Sequence, residues 1–253
     1  MTGLEPSLVK SALELLELAK KDGWLDKLKS ILKKRSRVIV LGSTGVGKTN
    51  LLEALTKPLP KVIDSINRSE FARKHKVSIT AEPFEFIDTP GQEFHDSRRM
   101  AAIRQAMARG PVGVLNVVSY GYHEYAVARS DVFDGNGKIQ SGFLDRHRRI
   151  EIETLNQWTA LLGDTETAKW LITVASKADL WWDERDAVMA HYTKGDYFKA
   201  LGPAKVLKPV TVEFASVVHL FYGRGAVSGV FDDEIRKSLR TRLLTTLLHA
   251  AGK

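Results

Sequence analysis

The sequence predicts an α/β domain in which a mainly parallel central sheet is covered by helices on both faces. Short strands of apolar and β-branched residues alternate with segments whose apolar residues have helical spacing. The strands contain few polar positions, which is typical of a parallel sheet that is buried on both faces. The chain has 253 residues, enough to bury a core, and it contains no cysteine, which excludes disulfides and zinc–thiolate sites.

The predicted elements follow one another along the chain. Residues 7–34 have apolar stripes at helical spacing and predict a helical N-terminal extension, 1–36, ahead of a main domain, 37–253. Polar residues at about 120–150 interrupt the alternation and are interpreted as an insertion. The predicted strands are 38–42, 77–80, 84–89, 112–119, 170–176 and 211–217. The predicted helices of the main domain begin at Lys48, cover 96–109, 146–162 and 183–201, and end with a helix from Asp232.

The formal net charge of +8 is compatible with an acidic partner, a phosphate ligand or an anionic membrane surface. The sequence has no apolar run long enough to span a bilayer and no start that resembles a signal peptide. Together with the absence of cysteine, these features favour a cytoplasmic location. The sequence also has no pattern of aromatic and basic residues for stacking bases, so we do not expect nucleic acid as partner. Acidic residues dilute the basic face of the N-terminal helices, so we do not expect a membrane as partner either.

The first motif is the glycine-rich segment LGSTGVGKT, which continues the strand RVIVLG. Its pattern Gly-x-x-x-x-Gly-Lys-Thr, between a strand and a helix, is the phosphate-binding P-loop. Glycines let the backbone turn its N–H groups toward a phosphate, and the helix N-terminus adds positive partial charge. Lys48 is expected to neutralise the β- and γ-phosphates, and Thr49 to bind Mg²⁺. The nucleotide-binding residues predicted here are Gly42, Ser43, Thr44, Gly45, Val46, Gly47, Lys48, Thr49 and Asn50.

The second motif, DTPGQE, leaves the end of the strand 84–89, at the edge where open α/β sheets bind ligands. Asp88 is expected to hold Mg²⁺ through its water shell, and Gly91 to offer its N–H to a γ-phosphate. Gln92 is placed to orient an attacking water, so Gln92 and Lys48 are the predicted catalytic residues. DTPGQE is similar to the DxxGQ switch element of the translation-factor-related GTPases, and the sequence resembles the Ras-like and Era-like small GTPases among them.

The third motif, Ser176-Lys-Ala-Asp179, resembles the NKxD base-recognition motif of the same family. The resemblance implies that Asp179 accepts two hydrogen bonds from guanine, a donor pair that adenine lacks, and that Lys177 packs over the base and ribose. Ser176 replaces the usual asparagine, which bridges to the P-loop in that family. A weaker fourth element, Ala215-Ser216 in EFASV, stands where family members bind the guanine O6 through a backbone N–H.

The chain departs from the family in the first switch, where Ras-like proteins close over Mg²⁺ with a threonine. No threonine occurs from Lys57 to Ile79, which leaves Ser65, Ser69 or a backbone carbonyl as candidates for that ligand. The insertion at about 120–150 is interpreted as a surface for a protein partner, because long ordered insertions are commonly functional. Its DGNG segment lacks the ligand spacing of a calcium loop and predicts a hairpin turn.

The resemblance implies a three-layer, small-GTPase-like P-loop domain that binds GTP or GDP with Mg²⁺. We therefore expect a GTPase that slowly hydrolyses GTP to GDP and couples its nucleotide state to a protein effector or larger complex through the switch regions or the insertion. One alternative is a GTP/GDP-binding interaction module without hydrolysis, which the missing threonine favours. A second alternative is an ATP-using P-loop enzyme such as a kinase, against which Asp179 argues.

Overall fold

The computed structural model of the chain describes residues 36–56, 74–79, 82–89, 96–163, 167–202, 210–217, 221–223 and 229–252, together with residues 204, 207 and 208. Residues 1–35 of the predicted N-terminal extension lie outside this part of the chain. The first-switch candidates Ser65 and Ser69, and Gly91 and Gln92 of the second motif, also lie outside it.

Six strands in the described residues form a twisted central sheet with the order β2-β3-β1-β4-β5-β6. Strand β2 pairs antiparallel with β3, and the remaining neighbouring pairs are parallel. The predicted mainly parallel sheet is therefore confirmed. The strands are β1 Arg37–Leu41, β2 Lys74–Ile79, β3 Glu82–Asp88, β4 Val112–Val118, β5 Ala168–Ala175 and β6 Val210–Phe214.

Helices connect the parallel strands, as crossovers between parallel neighbours require. None of the helices in the described ranges combines the length and apolar character needed to cross a membrane. A short 3-10 turn, Trp182–Glu184, lies between the fifth and sixth of them. The helices are α1 Lys48–Thr56, α2 Asp96–Ala108, α3 Arg129–Val132, α4 Ser141–Gly163, α5 Ala178–Trp181, α6 Arg185–Lys194, α7 Asp196–Ala200 and α8 Asp233–Ala251.

The two faces of the sheet carry separate apolar cores, because successive residues of a strand point to opposite faces. In β1, Val38 and Val40 belong to one core, whereas Ile39 and Leu41 belong to the other. The first core packs against α1 and α8, and the second against α2, α4 and the helices that follow β5. This arrangement is the three-layer α/β architecture that the sequence predicts. The first core takes Leu51, Leu52, Leu55, Leu243 and Leu247 from its helices, and the second takes Ile103, Leu155, Trp158, Tyr192 and Tyr197.

Two helix boundaries differ from the prediction. Helix α4 begins at Ser141, five residues before the predicted start, so the last part of the predicted insertion is helical. The predicted single helix 183–201 is divided at Gly195, whose backbone is extended and whose N–H donates to the carbonyl of Ala190 at 3.0 Å. A Cβ on Gly195 would lie 2.6 Å from the carbonyl oxygen of His191. The chain therefore turns at a glycine that leaves room for the preceding helical turn.

Helix α8 fixes the edge strand β6. Asp232 is its N-cap and accepts a hydrogen bond from the N–H of Ile235 at 2.8 Å. The buried carboxylate of Glu213 in β6 contacts Arg242 at 2.8 Å and accepts a hydrogen bond from Thr246 at 2.9 Å, both from α8. These bonds hold the strand that leads into Ala215 and Ser216.

Packing between β4 and β5 yields a stability prediction. A Cβ on Gly113 would lie 1.9 Å from the Trp170 indole, so Gly113→Ala must displace that buried ring. We expect the free energy of unfolding in urea to fall by about 1–3 kcal/mol, the usual cost of overpacking a core. Gly142→Ala is the control, because a Cβ on Gly142 meets nothing within 4 Å. An unchanged unfolding midpoint for Gly113→Ala would show that the Trp170 ring can move without cost.

Candidate nucleotide-binding site

The four motifs meet because parallel strands end at one edge of the sheet. Val40 of β1 is in register with Asp88 of β3, and Val118 of β4 is in register with Ala175 of β5. Ala175 is also in register with Phe214 of β6. The P-loop, the second motif, SKAD and the Ala215-Ser216 pair each begin within two residues of these strand ends. The carboxyl edge is also where open α/β sheets bind their ligands.

The P-loop turns sharply and lies close to its neighbours at two glycines. Gly42 has a φ of +136°, and a Cβ there would lie 2.2 Å from the carbonyl oxygen of Val117. Gly45 has a φ of +78°, and a Cβ there would lie 2.5 Å from the backbone N and O of Glu124. Residues with a side chain rarely adopt such angles, so both positions require glycine. The loop is thereby tied between β1 and the segment that follows β4.

Lys48 is buried at the start of α1 and folds back over the loop. Its Nζ donates to the carbonyl oxygens of Gly42 at 2.7 Å and Ser43 at 2.9 Å. An ammonium group has three N–H donors, so these two bonds leave one for a phosphate oxygen. Burial lowers the pKa of Lys48 to about 8, and the nearby Asp88 carboxylate partly opposes that shift. A bound anion would stabilise the charged form of this lysine.

The two predicted magnesium ligands are buried at the same edge. Thr49 is the second residue of α1, and Asp88 is the last residue of β3 and fully buried. The next residue, Thr89, donates its hydroxyl to the carbonyl of Val40 at 2.8 Å, which ties the end of β3 to β1 just before the P-loop. A hydroxyl and a carboxylate are hard oxygen donors that suit Mg²⁺. These two residues therefore fit the ion that the motif implies.

Ser176 bridges the strand β4 and the P-loop. Its Oγ lies 2.5 Å from the carbonyl oxygen of Val46 in the P-loop and 2.9 Å from that of Val118 in β4. The backbone N–H of Ser176 also donates to Val118, at 2.8 Å, so the chain passes close enough for a short side chain to reach. The serine therefore joins the base-recognition motif to the P-loop.

Lys177 is buried and connects three segments. Its Nζ donates to the carbonyl oxygens of Gly45 at 2.8 Å and Tyr122 at 2.7 Å. It also lies 3.7 Å from the Glu124 carboxylate and 5.3 Å from the centre of the Phe221 ring. Burial lowers the pKa of Lys177 to about 8, although Glu124 and Asp179 favour its charged form. The side chain is held in place by groups from outside its own motif.

Asp179 and Ser216 lie in contact, so the third and fourth elements form one surface. The Ser216 hydroxyl donates to a carboxylate oxygen of Asp179, and the N–H of Ala178 donates to the carbonyl of Ala215 at 3.1 Å. Asp179 is 1% exposed. A buried carboxylate that a neighbouring hydroxyl orients is suited to recognising a pair of N–H donors.

A segment that belongs to none of the four motifs completes this site. Residues 121–124, which follow β4, are buried, and Tyr122 and Glu124 among them contact Lys177 and the P-loop. The N–H of Glu124 donates to Gly45 O at 3.1 Å, and the Glu124 carboxylate accepts from the N–H of Tyr222 at 2.9 Å. The position of this segment in the sequence could have indicated this role, because the segment follows the carboxyl end of a central strand that neighbours the P-loop strand.

Residues 37–141 match the sequence profile of a protein family described as "50S ribosome-binding GTPase". This part of the chain contains the P-loop and the DTPGQE motif. The match covers fewer than half of the residues of the chain, and residues 37–141 are similar to this GTPase family. The SKAD motif and the Ala215-Ser216 pair lie beyond the matched residues.

Two solved structures show limited similarity to this chain. The Arl6 BBS3 small GTPase from Trypanosoma brucei with bound GppNp is 11% identical to this chain, with a TM-score of 0.47 and coverage of 87% of this chain and 98% of that one. The mammalian SRP receptor structure is 16% identical, with a TM-score of 0.44 and coverage of 71% and 90% respectively. A comparison with curated protein sequences finds no match.

Two lysines that are buried in the described part of the chain, Lys48 and Lys177, should make the affinity for a nucleotide depend on pH. Burial lowers the pKa values of Lys48 and Lys177 to about 8, and a phosphate ligand needs the charged form of Lys48. Affinity for GDP should therefore be full below this pKa and fall above it, by up to about tenfold per pH unit for each proton taken up on binding. Calorimetric GDP titrations from about pH 7 to about pH 9, with circular dichroism to verify folding, measure the dependence. A constant affinity across this range would contradict the expectation.

Proposed function

We propose that this protein is a Mg²⁺-dependent guanine-nucleotide switch that binds GTP and slowly hydrolyses it to GDP. The observation that carries the proposal is the convergence of the base-recognition and phosphate-binding motifs. Ser176 and Lys177 both bond P-loop carbonyls, and Asp179 lies at the same edge with its carboxylate oriented by Ser216. The family match over residues 37–141 supports the same class of ligand.

Each group has a role in the proposed reaction. Lys48 and the P-loop N–H groups would bind the β- and γ-phosphates, and Thr49 and Asp88 would hold Mg²⁺, which neutralises charge on those phosphates. Asp179 would accept the two guanine N–H groups while Lys177 covers the base. Gln92 would orient the water that attacks the γ-phosphate. The bond between the γ-phosphorus and its bridging oxygen then breaks, leaving GDP and inorganic phosphate.

The proposed switch would act on a protein partner. Loss of the γ-phosphate releases the segments that bind it in related switches, and this changes the surface they present. The insertion offers a second surface, because residues 128–131 and 134–136 are exposed while residues 121–124 are buried. We propose that a protein partner contacts the insertion at these exposed residues.

Base selectivity tests the assignment of guanine. The protein should bind GDP and a non-hydrolysable GTP analogue in calorimetry with Mg²⁺, and should bind the matching adenine nucleotides at least about hundredfold more weakly. Asp179→Asn offers one acceptor and one donor, so it should lose GDP affinity by a similar factor and gain affinity for xanthosine diphosphate, whose ring presents an oxygen in place of the amino group.

The matched control for that substitution is Asp186→Asn, which removes an exposed carboxylate from α6. It should bind GDP as the unsubstituted protein does. An Asp179→Asn protein that still prefers GDP to xanthosine diphosphate would contradict the guanine assignment. A preference of the unsubstituted protein for ATP would favour the alternative of an ATP-using enzyme.

Phosphate release tests the step assigned to Gln92. Gln92→Leu removes the groups that orient water, so release of phosphate from GTP should slow by at least about tenfold while GDP binding stays within about twofold. Gln105→Leu, on an exposed position of α2, should leave both unchanged. Guanine-selective binding with no release from the unsubstituted protein would replace the hydrolysing switch with the non-hydrolysing interaction module.

A further inference from the structure

The loop that leaves β4 holds the base-recognition lysine. This post-β4 loop, residues 119–125, presents the Tyr122 carbonyl to the Nζ of Lys177 at 2.7 Å and places the Glu124 carboxylate 3.7 Å from it. The loop also bonds the P-loop directly, through Glu124 N and Gly45 O at 3.1 Å. The position of Lys177 therefore depends on the conformation of a loop that belongs to none of the four motifs.

A single carboxylate on α4, that of Glu151, contacts three residues of this loop. One oxygen of Glu151 accepts hydrogen bonds from the N–H groups of Ser119 at 2.8 Å and Gly121 at 3.2 Å. The same oxygen lies 3.0 Å from Nε2 of His123. The other oxygen accepts the Tyr192 hydroxyl at 2.8 Å. Three residues of the loop are thus fixed to one side chain.

The donors around Glu151 match a charged carboxylate. Burial raises the pKa of Glu151, but the bonds from His123, Ser119 and Tyr192 outweigh it and hold the pKa below its usual range. Burial also lowers the pKa of His123, and a proton on its Nε2 lets the ring donate to Glu151. Tyr192 adds a second link to the loop, because its hydroxyl oxygen accepts the N–H of Tyr120 at 2.7 Å. A buried charge with four donors is costly to replace by a neutral group.

We propose that Glu151 is a positioning residue for guanine-nucleotide binding: it holds the post-β4 loop in the conformation that fixes Lys177. The proposal rests on the proposed function, since Lys177 is the lysine assigned to the base. Among the residues that the structure describes, Glu151 bonds neither the P-loop nor SKAD, and it acts through Ser119, Gly121 and His123.

The test compares Glu151→Gln with a matched control. An amide keeps the shape but offers one acceptor and two unwanted donors to four donor groups, so we expect the GDP dissociation constant to rise at least about tenfold. Glu153→Gln, an exposed position on the same helix, should change it by less than about twofold. In a Lys177→Ala background, Glu151→Gln should add less than about twofold, because the group it positions is already gone.

A second measurement does not need the nucleotide. In protein labelled with ¹³C at the lysine ε-carbon, the Lys177 resonance, assigned by its loss in Lys177→Arg, should shift in Glu151→Gln and stay in place in Glu153→Gln. An unchanged resonance together with an unchanged GDP affinity would overturn the proposal. So would an equally large loss of GDP affinity from Glu151→Gln in the Lys177→Ala background, which would indicate a general loss of structure.

A milder variant covers the case in which Glu151→Gln does not fold. Tyr192→Phe removes one donor to Glu151 and the acceptor for Tyr120, and should weaken GDP binding and shift the Lys177 resonance in the same direction. No change in either would equally overturn the proposal. Failure of the unsubstituted protein to bind GDP would instead refute the proposed function, and the lysine resonance would then decide whether Glu151 positions Lys177.

Discussion

The P-loop can present its N–H groups to an anion only if its carbonyl oxygens find donors within the protein. A loop with unpaired carbonyls would turn them toward the ligand and repel it. Here donors from two other parts of the chain, the SKAD motif and the loop after β4, and from the first turn of α1 occupy these oxygens. The donors are Lys48 for Gly42 and Ser43, the Lys177 ammonium and the Glu124 N–H for Gly45, and the Ser176 hydroxyl for Val46.

Burial of charge is the cost of this arrangement. Lys48, Asp88, Lys177 and Asp179 are all nearly inaccessible to water, and burying charges is unfavourable unless opposite charges and hydrogen bonds compensate. The lowered pKa values of the two lysines show that the protein alone compensates them only in part. An anionic ligand would supply the opposite charge that the buried lysines lack. The cost of burying these charges in the ligand-free protein would then be relieved on binding, which would strengthen the affinity.

The parts of this site that the sequence predicts depend on local sequence patterns, whereas the parts that it does not predict depend on contacts between residues far apart in the chain. The P-loop and the alternation of β1 are local patterns, and they predict both the position of Lys48 and the layers of the fold. The bridge from Ser176 depends on how closely β5 approaches β4, and the contact of Glu124 with Tyr222 joins residues 98 positions apart. Glu151 is one charged residue among several on a helix until the fold places Ser119 and His123 against it. Sequence spacing alone contains none of these distances.

The insertion is divided between a buried half and an exposed half, and the division links two binding events. The buried half contacts Lys177 and Gly45 through Tyr122 and Glu124, and the exposed half consists of residues 128–131 and 134–136 on the same backbone. Suppose that bound guanine nucleotide raises the affinity of a partner for the exposed half by some factor. The partner must then raise the affinity for the nucleotide by the same factor, because coupling free energy is reciprocal. Such a partner would slow nucleotide dissociation by acting on Lys177, the residue proposed to bind the base, and not on the segments proposed to bind the γ-phosphate.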